Sequence, residues 1–351
     1  MNRPNRAVIG GVDTHAATHH AVVVDLRGVL QGSQEFTATG VGYTELLAWL
    51  RSHGQIDRVG VEGTGAYGAG LARHLHDEGV RVIEVPRPDR RLRRQKGKSD
   101  PIDAEAAARA VLAGTATVQP KLANGSIEAI RAIRVARNGA IKAKTTATNA
   151  LQALLITAPE PLRAQLRCRS TIKLVKTCGG LRPDTARLHE PTQALKLALR
   201  SVAQRADALA MEAHQLNRQL VALTERAAPR TSAVFALGPD TTSALLISIG
   251  DNPDRLRSES AFAHLCGVAP IPASSGKTNR HRLRRGGDRS ANHALHVAVI
   301  VRLRYCERTR AYAAGRTADG HSMPEIIRCL KRYLAREVFI ALRSDYAAIT
   351  T

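Results

Sequence analysis

The chain has 351 residues, enough for two or three domains with packed cores. It carries 52 Lys and Arg against 30 Asp and Glu, a formal charge of +22 with a pI near 10.8, and a basic surplus of that size points to polyanions, with nucleic acid the natural one. No apolar run approaches a membrane span, and the N-terminus MNRPNRAVIGGVD enters a strand without an apolar leader, so no membrane association and a cytoplasmic, nucleoid-associated protein are expected.

The runs AVIGGVD (7–13) and RVGVEG (58–63) are short, apolar and β-branched, and each ends in an acid, Asp13 and Glu62. Strands are expected over 7–13, 20–25, 29–36, 57–61 and 81–85, with helices near 41–52, 66–79 and 101–113, a mixed α/β order. In SDPIDAEAAARAVLAG, Pro101 fits the first helical position and Asp100 the N-cap, which sets Asp103 one turn on and on the same face. Asp100 and Asp103 also suit a plain helix start, but Asp13 and Glu62 sit in apolar, glycine-rich surroundings where an unpaired charge is costly. Together the four acids predict an oxygen-only cage for a hard cation, Mg²⁺ or Mn²⁺. His15, His19 and His20 lie close by and read as structural or solvent-facing.

Two basic blocks adjoin candidate chemistry. RPDRRLRRQKGK (87–98) supplies Arg87, Arg90, Arg91, Arg93, Arg94, Lys96 and Lys98; GKTNRHRLRRGGDR (276–289) supplies Lys277, Arg280, Arg282, Arg284 and Arg285. Each can neutralise several phosphates. Aromatic residues make up 3% of the chain, so backbone contact is expected to dominate over base stacking.

From about residue 125 a long helix is expected to leave the first domain. Over 194–226, Leu195, Leu199, Val202, Ala206, Leu209, Ala213, Leu216, Leu220 and Leu223 alternate by four and three residues, an a/d seam. Its partner is either the 125–157 helix folded back or a second copy of the chain. Residues 158–191, with several prolines and glycines, form a less regular connection. The five cysteines, Cys168, Cys178, Cys266, Cys306 and Cys329, are scattered and lack a CxxC pair, which argues against structural zinc or a disulfide framework.

A third region opens near 230. FALGPDTTSALLISIGD reads as turn then helix, loosely like a helix-hairpin-helix except that Pro239 and Asp240 follow Gly238. Beyond it, Ser274, Ser275, Gly276 and Lys277 occupy a loop introduced by Pro270 and Pro272 and followed by arginines. A serine there is either a turn residue or a phosphodiester nucleophile that needs a base or metal to remove its proton.

The ordered set DTH, VEGTGAYG, KSDPIDAEAAA, a coiled coil, CGVAPIPASSGK and RRGGDRSANHAL resembles the Piv/MooV invertase and insertion-sequence transposase family over nearly the whole chain. The resemblance implies an RNase H-like (RuvC-like) domain over 1–120, a helical coiled-coil region over 121–229 and a mostly α transposase domain over 230–351. It implies that Asp13, Glu62, Asp100 and Asp103 form a Mg²⁺-binding tetrad and that Ser274, with Ser275 in reserve, is the nucleophile. DNA, both element ends and target, is the implied substrate. A noncoding guide RNA from the element and a homodimer or homotetramer are implied partners. The chain departs from the family pattern where Lys277 follows Gly276 directly and RHRLRRGGDR replaces the usual step.

The main alternative is a metal-dependent resolvase or nuclease of the Holliday-junction type that uses water. A sugar-kinase-like or actin-like ATPase would share the opening strand pair but needs later glycine-rich phosphate loops. A packaging coiled coil would leave the four ordered acids unexplained, and the six tyrosines lack the Arg/His/Arg setting of a tyrosine recombinase.

Overall fold

Alternating β-branched residues in the N-terminal third build one mixed sheet, and the period of two decides which residues meet which helix. The computed structural model describes residues 6–86, 99–167, 170–252, 256–274, 281–283 and 286–350. The chain divides into two units, Met1–Gly125 with Ile249–Leu256, and Ser126–Ser248 with Arg257–Thr351.

In the first unit, β1 (Ala7–Thr14), β2 (Thr18–Asp25) and β3 (Leu30–Thr37) form an antiparallel meander; α1 (Gly40–Ser52), β4 (Gln55–Glu62), α2 (Ala69–Asp77), β5 (Val82–Val85) and α3 (Asp100–Leu112) follow. The sheet order is β3-β2-β1-β4-β5, with β1, β4 and β5 parallel. Val8, Val12, Val59 and Val61 face α1 and α2, burying Leu46, Leu50, Leu71 and Leu75. On the opposite face, Ile9, Val22, Ile83 and Val85 meet Ala104, Ala107, Ala108 and Val111 of α3.

The seat of α3 is two glycines paired across the parallel strands, Gly11 and Gly60. A Cβ at Gly11 would lie 2.2 Å from the Ala104 carbonyl oxygen, and one at Gly60 would lie 2.7 Å from Val111 and 2.9 Å from the Ala107 carbonyl oxygen. The helix answers with alanines, so its backbone comes down onto the sheet. Residues 249–256 complete this unit, with Asn252 accepting from Leu122 N–H at 2.9 Å and donating to the Pro120 carbonyl at 2.9 Å.

The second unit begins with α4 (Ser126–Ile156), continues through α5 (Glu160–Gln165) and α6 (Thr171–Gly179), and returns in α7 (Pro191–Ala227). The partner of the heptad seam is α4. The pair is antiparallel: Arg137 donates to Asn217 at 2.9 Å, while Leu151 shares a cluster with Leu199 and Ala203. Leu199, Ala206, Ala213, Leu220 and Ala227, seven residues apart, are buried; Leu195, Val202, Leu209, Leu216 and Leu223 are half-buried. Small residues at three of the five deepest positions let the helices approach closely.

Then come α8 (Pro229–Ser232), α9 (Pro239–Ile249), α10 (Glu259–Leu265), a hairpin of β6 (Pro270–Pro272) and β7 (His281–Leu283), α11 (Arg289–Tyr305), α12 (Glu307–Ala318) and α13 (Met323–Thr350). Pro239 begins α9, and the Thr241 hydroxyl bridges the Gly238 N–H and carbonyl at 2.9 Å each, so the proline and Asp240 start a helix there. Asp345 of α13 is buried and accepts from Arg230 N–H, Thr231 N–H and the Thr231 hydroxyl at 2.7–3.0 Å, which fixes α13 to α8. No helix among the described residues is long and apolar enough to cross a membrane.

The glycine seat makes a test of the first unit. Gly11→Ala should cost about 1–3 kcal/mol by overpacking against helix backbone. Gly139→Ala, in α4 with nothing within 4 Å of its Cβ position, should instead stabilise by up to about 1 kcal/mol. Thermal unfolding of the two variants beside the wild type should show shifts of opposite sign; equal shifts would contradict the close approach at Gly11.

Candidate catalytic site

Both strands that seat α3 end in the same tripeptide logic: Gly11-Val12-Asp13 in β1 and Gly60-Val61-Glu62 in β4. Val12 and Val61 are partners in the parallel ladder and point to the α1/α2 face. The glycine and the acid of each triplet therefore face α3. The glycines receive the helix, and the acids stand one step beyond them at the end of each strand. The Thr14 hydroxyl donates to the Glu62 carbonyl at 2.9 Å, tying the two strand ends together.

The first turn of α3 brings the other two acids. The helix begins one residue earlier than expected: Ser99, extended at φ −152° and ψ 151°, is the N-cap, Asp100 is the first helical residue and Pro101 the second. Asp100 is thus no N-cap, and its carboxylate is left to meet His15, while Asp103 donates its N–H to the Ser99 carbonyl at 3.1 Å. Asp13, Glu62 and Asp103 are buried, at 5–6% exposure, and the Asp100 side chain is part-exposed.

His15 is solvent-facing, as expected, and yet reaches the acids. Its Nε2 lies 3.2 Å from Asp100 Oδ1 and 3.6 Å from Asp13 Oδ2, and its Nδ1 lies 3.2 Å from the Thr14 carbonyl oxygen. Asp13, His15 and Asp100 offer ligand atoms all within 4.8 Å of one another. The sequence cue was its place two residues after a strand-end acid, where the chain leaves β1 and can turn a side chain back over the sheet end. His19 and His20 do behave as structural residues: His19 is fully buried and stacks on Tyr43 at 5.6 Å, and His20 is 2.8 Å from the Ser33 hydroxyl.

The electrostatics separate these acids from a merely structural carboxylate. Asp25 is fully buried at the end of β2, yet it is neutralised by Arg6 and Arg27 and accepts the Arg27 and Val29 N–H groups at 2.9 Å. At Asp13, burial pushes the carboxyl above its ordinary pKa, the charges of Asp103 and Asp100 push it further, and His15 and the Thr14 N–H act against them. A site that gathers carboxylates in this way fits a divalent cation, whose charge would relieve the repulsion.

In the second unit, Ser274 is exposed two residues beyond β6, at the start of the hairpin connection. The three-residue strands were not foreseen, because Pro270 and Pro272 demote a strand reading; here they sit on a two-stranded ribbon that has room for them. The root of the hairpin is closely braced. Gly267 (φ 64°) and Gly287 (φ 126°) meet back to back: a Cβ on Gly287 would lie 2.8 Å from Gly267 N. Asp288 donates its N–H to the Leu265 carbonyl at 2.7 Å and caps α11 through the Ser290 and Ala291 N–H groups. Asn292 donates to the Cys266 and Gly267 carbonyls, and the buried Lys331 ammonium donates to Asn292 Oδ1 at 3.0 Å. Asn292 and Lys331 escaped the sequence reading; the first lay in view within RRGGDRSANHAL, the second carried no signal.

Arg282 pairs with Ile271 across the hairpin and is exposed. Ser275, Lys277, Arg280, Arg284 and Arg285, and the whole block Arg87, Arg90, Arg91, Arg93, Arg94, Lys96 and Lys98, lie outside the described residues.

An RNase H-like sheet with acids at its strand ends, followed by a helical region and a braced hairpin, is the build of a DNA-acting enzyme. Residues 10–158 match the DEDD-type transposase model of the IS110 group, and residues 230–314 match the model described as transposase of the IS116/IS110/IS902 family. The chain belongs to the IS110-type family of insertion-sequence transposases, and its DEDD-type domain implies use of a divalent metal. No curated protein matches the chain.

Because Asp13 binds its proton more tightly folded than unfolded, its share of stability falls as pH rises from the unfolded value through the raised folded one. Asp13→Asn should therefore raise the metal-free Tm near neutral pH, by roughly 2–4 °C for about 1 kcal/mol of relieved repulsion. Added Mg²⁺ should raise the wild-type Tm and leave that of Asp13→Asn nearly unchanged. A metal-free Tm lower in Asp13→Asn than in wild type would contradict the like-charge account.

Proposed function

We propose that this transposase cleaves and rejoins DNA strands through Ser274, assisted by Mg²⁺ held by Asp13, Glu62, Asp100 and Asp103. The observation that carries the reading is the pairing of two Gly-Val-acid strand ends with the first turn of α3, which brings the charges of Asp100 and Asp103 to bear on the buried Asp13. A bound divalent cation would supply charge neutralisation at the phosphate and acidify a coordinated oxygen.

In this reading the Ser274 oxygen attacks phosphorus as its proton is removed, a serine–phosphate ester forms, and the deoxyribose oxygen departs and takes up a proton. Attack by a second strand's hydroxyl on that ester reverses the step, so the bond energy is retained without ATP. The bracing of the hairpin root by Asn292 and Lys331 supports a role that demands a fixed starting point for the loop. The chain's aromatic poverty supports contact with backbone and a division of labour in which an element-encoded RNA reads sequence by base pairing. A homodimer or homotetramer is the proposed assembly.

The second reading, hydrolysis by water at the acidic site alone, is favoured by the DEDD character of the first domain. A denaturing gel separates the two. Full-length protein, labelled element-end DNA, Mg²⁺ and RNA transcribed from the flanking region should give a covalent protein–DNA adduct that Ser274→Ala abolishes and Ser275→Ala retains. Nicked DNA without adduct, unchanged by Ser274→Ala, would overturn the serine mechanism and leave the resolvase.

A further inference from the structure

The hairpin that carries Ser274 is also one wall of a cavity of about 810 Å³ in the second unit. Its size lies within the range of small-ligand sites. Pro270 and Arg282 contribute from the hairpin, and Arg328, Cys329, Lys331 and Tyr333 from α13. The lining is strongly cationic. Arg316 and Arg332 are paired with Asp319 and Glu259, and Arg328 lies 3.8 Å from Glu325. Arg282 and Lys331 have no carboxylate partner among the described residues.

Lys331 is the informative member. It is only 7% exposed, and its one hydrogen bond among the described residues goes to the amide oxygen of Asn292. A buried ammonium is costly unless an anion accompanies it. Burial and the neighbouring Arg328 hold Lys331 below the ordinary lysine range, so an anion beside it would favour its charged form. Opposite in character is Tyr333, 59% exposed and held at right angles to Tyr312 with ring centroids 5.7 Å apart. In a chain with six tyrosines and one tryptophan, an exposed aromatic beside unpaired cations is a specific combination. It matches a ligand with a phosphate at one end and a flat ring at the other.

We propose that this cavity receives one unpaired nucleotide of a bound nucleic-acid strand, its phosphate against Lys331 and Arg282 and its base against Tyr333. The inference goes beyond the serine reading, since it uses neither the acids nor Ser274. It gives the strand a hold on the same hairpin, on the strand that follows Ser274.

Cys329, exposed on the cavity wall, provides the readout, and Cys306, which does not line it, the internal control. Full-length protein without divalent metal is alkylated with iodoacetamide, and the rate at each cysteine is followed by peptide mass spectrometry. Saturating DNA or RNA trinucleotide should slow Cys329 about tenfold, as a ligand that fills the cavity must, and leave Cys306 unchanged. The stronger of the two protectors identifies the strand type. Arg282→Gln, at an exposed position where folding should persist, and Lys331→Gln, checked by thermal unfolding, should each remove most of the protection. Cys329 rates unaffected by either trinucleotide would overturn the proposal. Equal protection by an abasic trimer would overturn the nucleotide assignment, since the base would then play no part.

Discussion

Everything at the acidic end of the first unit depends on how closely α3 lies on the sheet. Gly11 and Gly60 face each other across parallel strands, and the Ala104 and Ala107 carbonyls occupy the space that side chains would need. Strand residues two apart share a face, so a glycine that admits the helix leaves the following same-face residue beside the helix start. That residue is Asp13 in one strand and Glu62 in the other. The close approach is the cause of the site, because a helix held off by ordinary side chains would carry Asp100 and Asp103 out of reach.

The same proximity is unfavourable for folding alone. Burial and like charges act on Asp13 together, and the unit tolerates this while at the opposite end of β1 Asp25 is compensated by arginines. A protein selected only for stability would replace Asp13 with a neutral residue. Retained repulsion of this kind is the usual mark of a site that is complete only with a further cation.

Much of this was legible in the residues. The strands, α1 to α3 and both long helices fall within a few residues of expectation, because period-two and heptad patterns are long-range signals that survive local irregularity. The four acids were visible as strand ends and a helix start, although the repeated Gly-Val-acid triplet was not noticed. Aspartate suits a cap, which points to Asp100, whereas the extended conformation at Ser99 moves the cap back by one. The reach of His15 toward Asp100 carries no periodic signal, because the residue lies in the turn after β1. The hairpin was hidden by its two prolines, and the choice of partner for the α7 seam depended on a chain reversal through 157–190 that carries no pattern. Lys331 reads as one more charge on a basic helix; only the packing of α13 reveals that it is buried.

The brace at the hairpin root has a consequence for how the molecule comes into being. The two ends of the hairpin meet at Gly267 and Gly287, but the last member of the brace is Lys331, far along the chain in α13. During synthesis the N-terminal sheet can fold, with its acids gathered, well before that helix has been made. The hairpin acquires its full anchorage only once α13 has been made. A product broken off before α13 would therefore carry an assembled acidic end and a hairpin without its full brace.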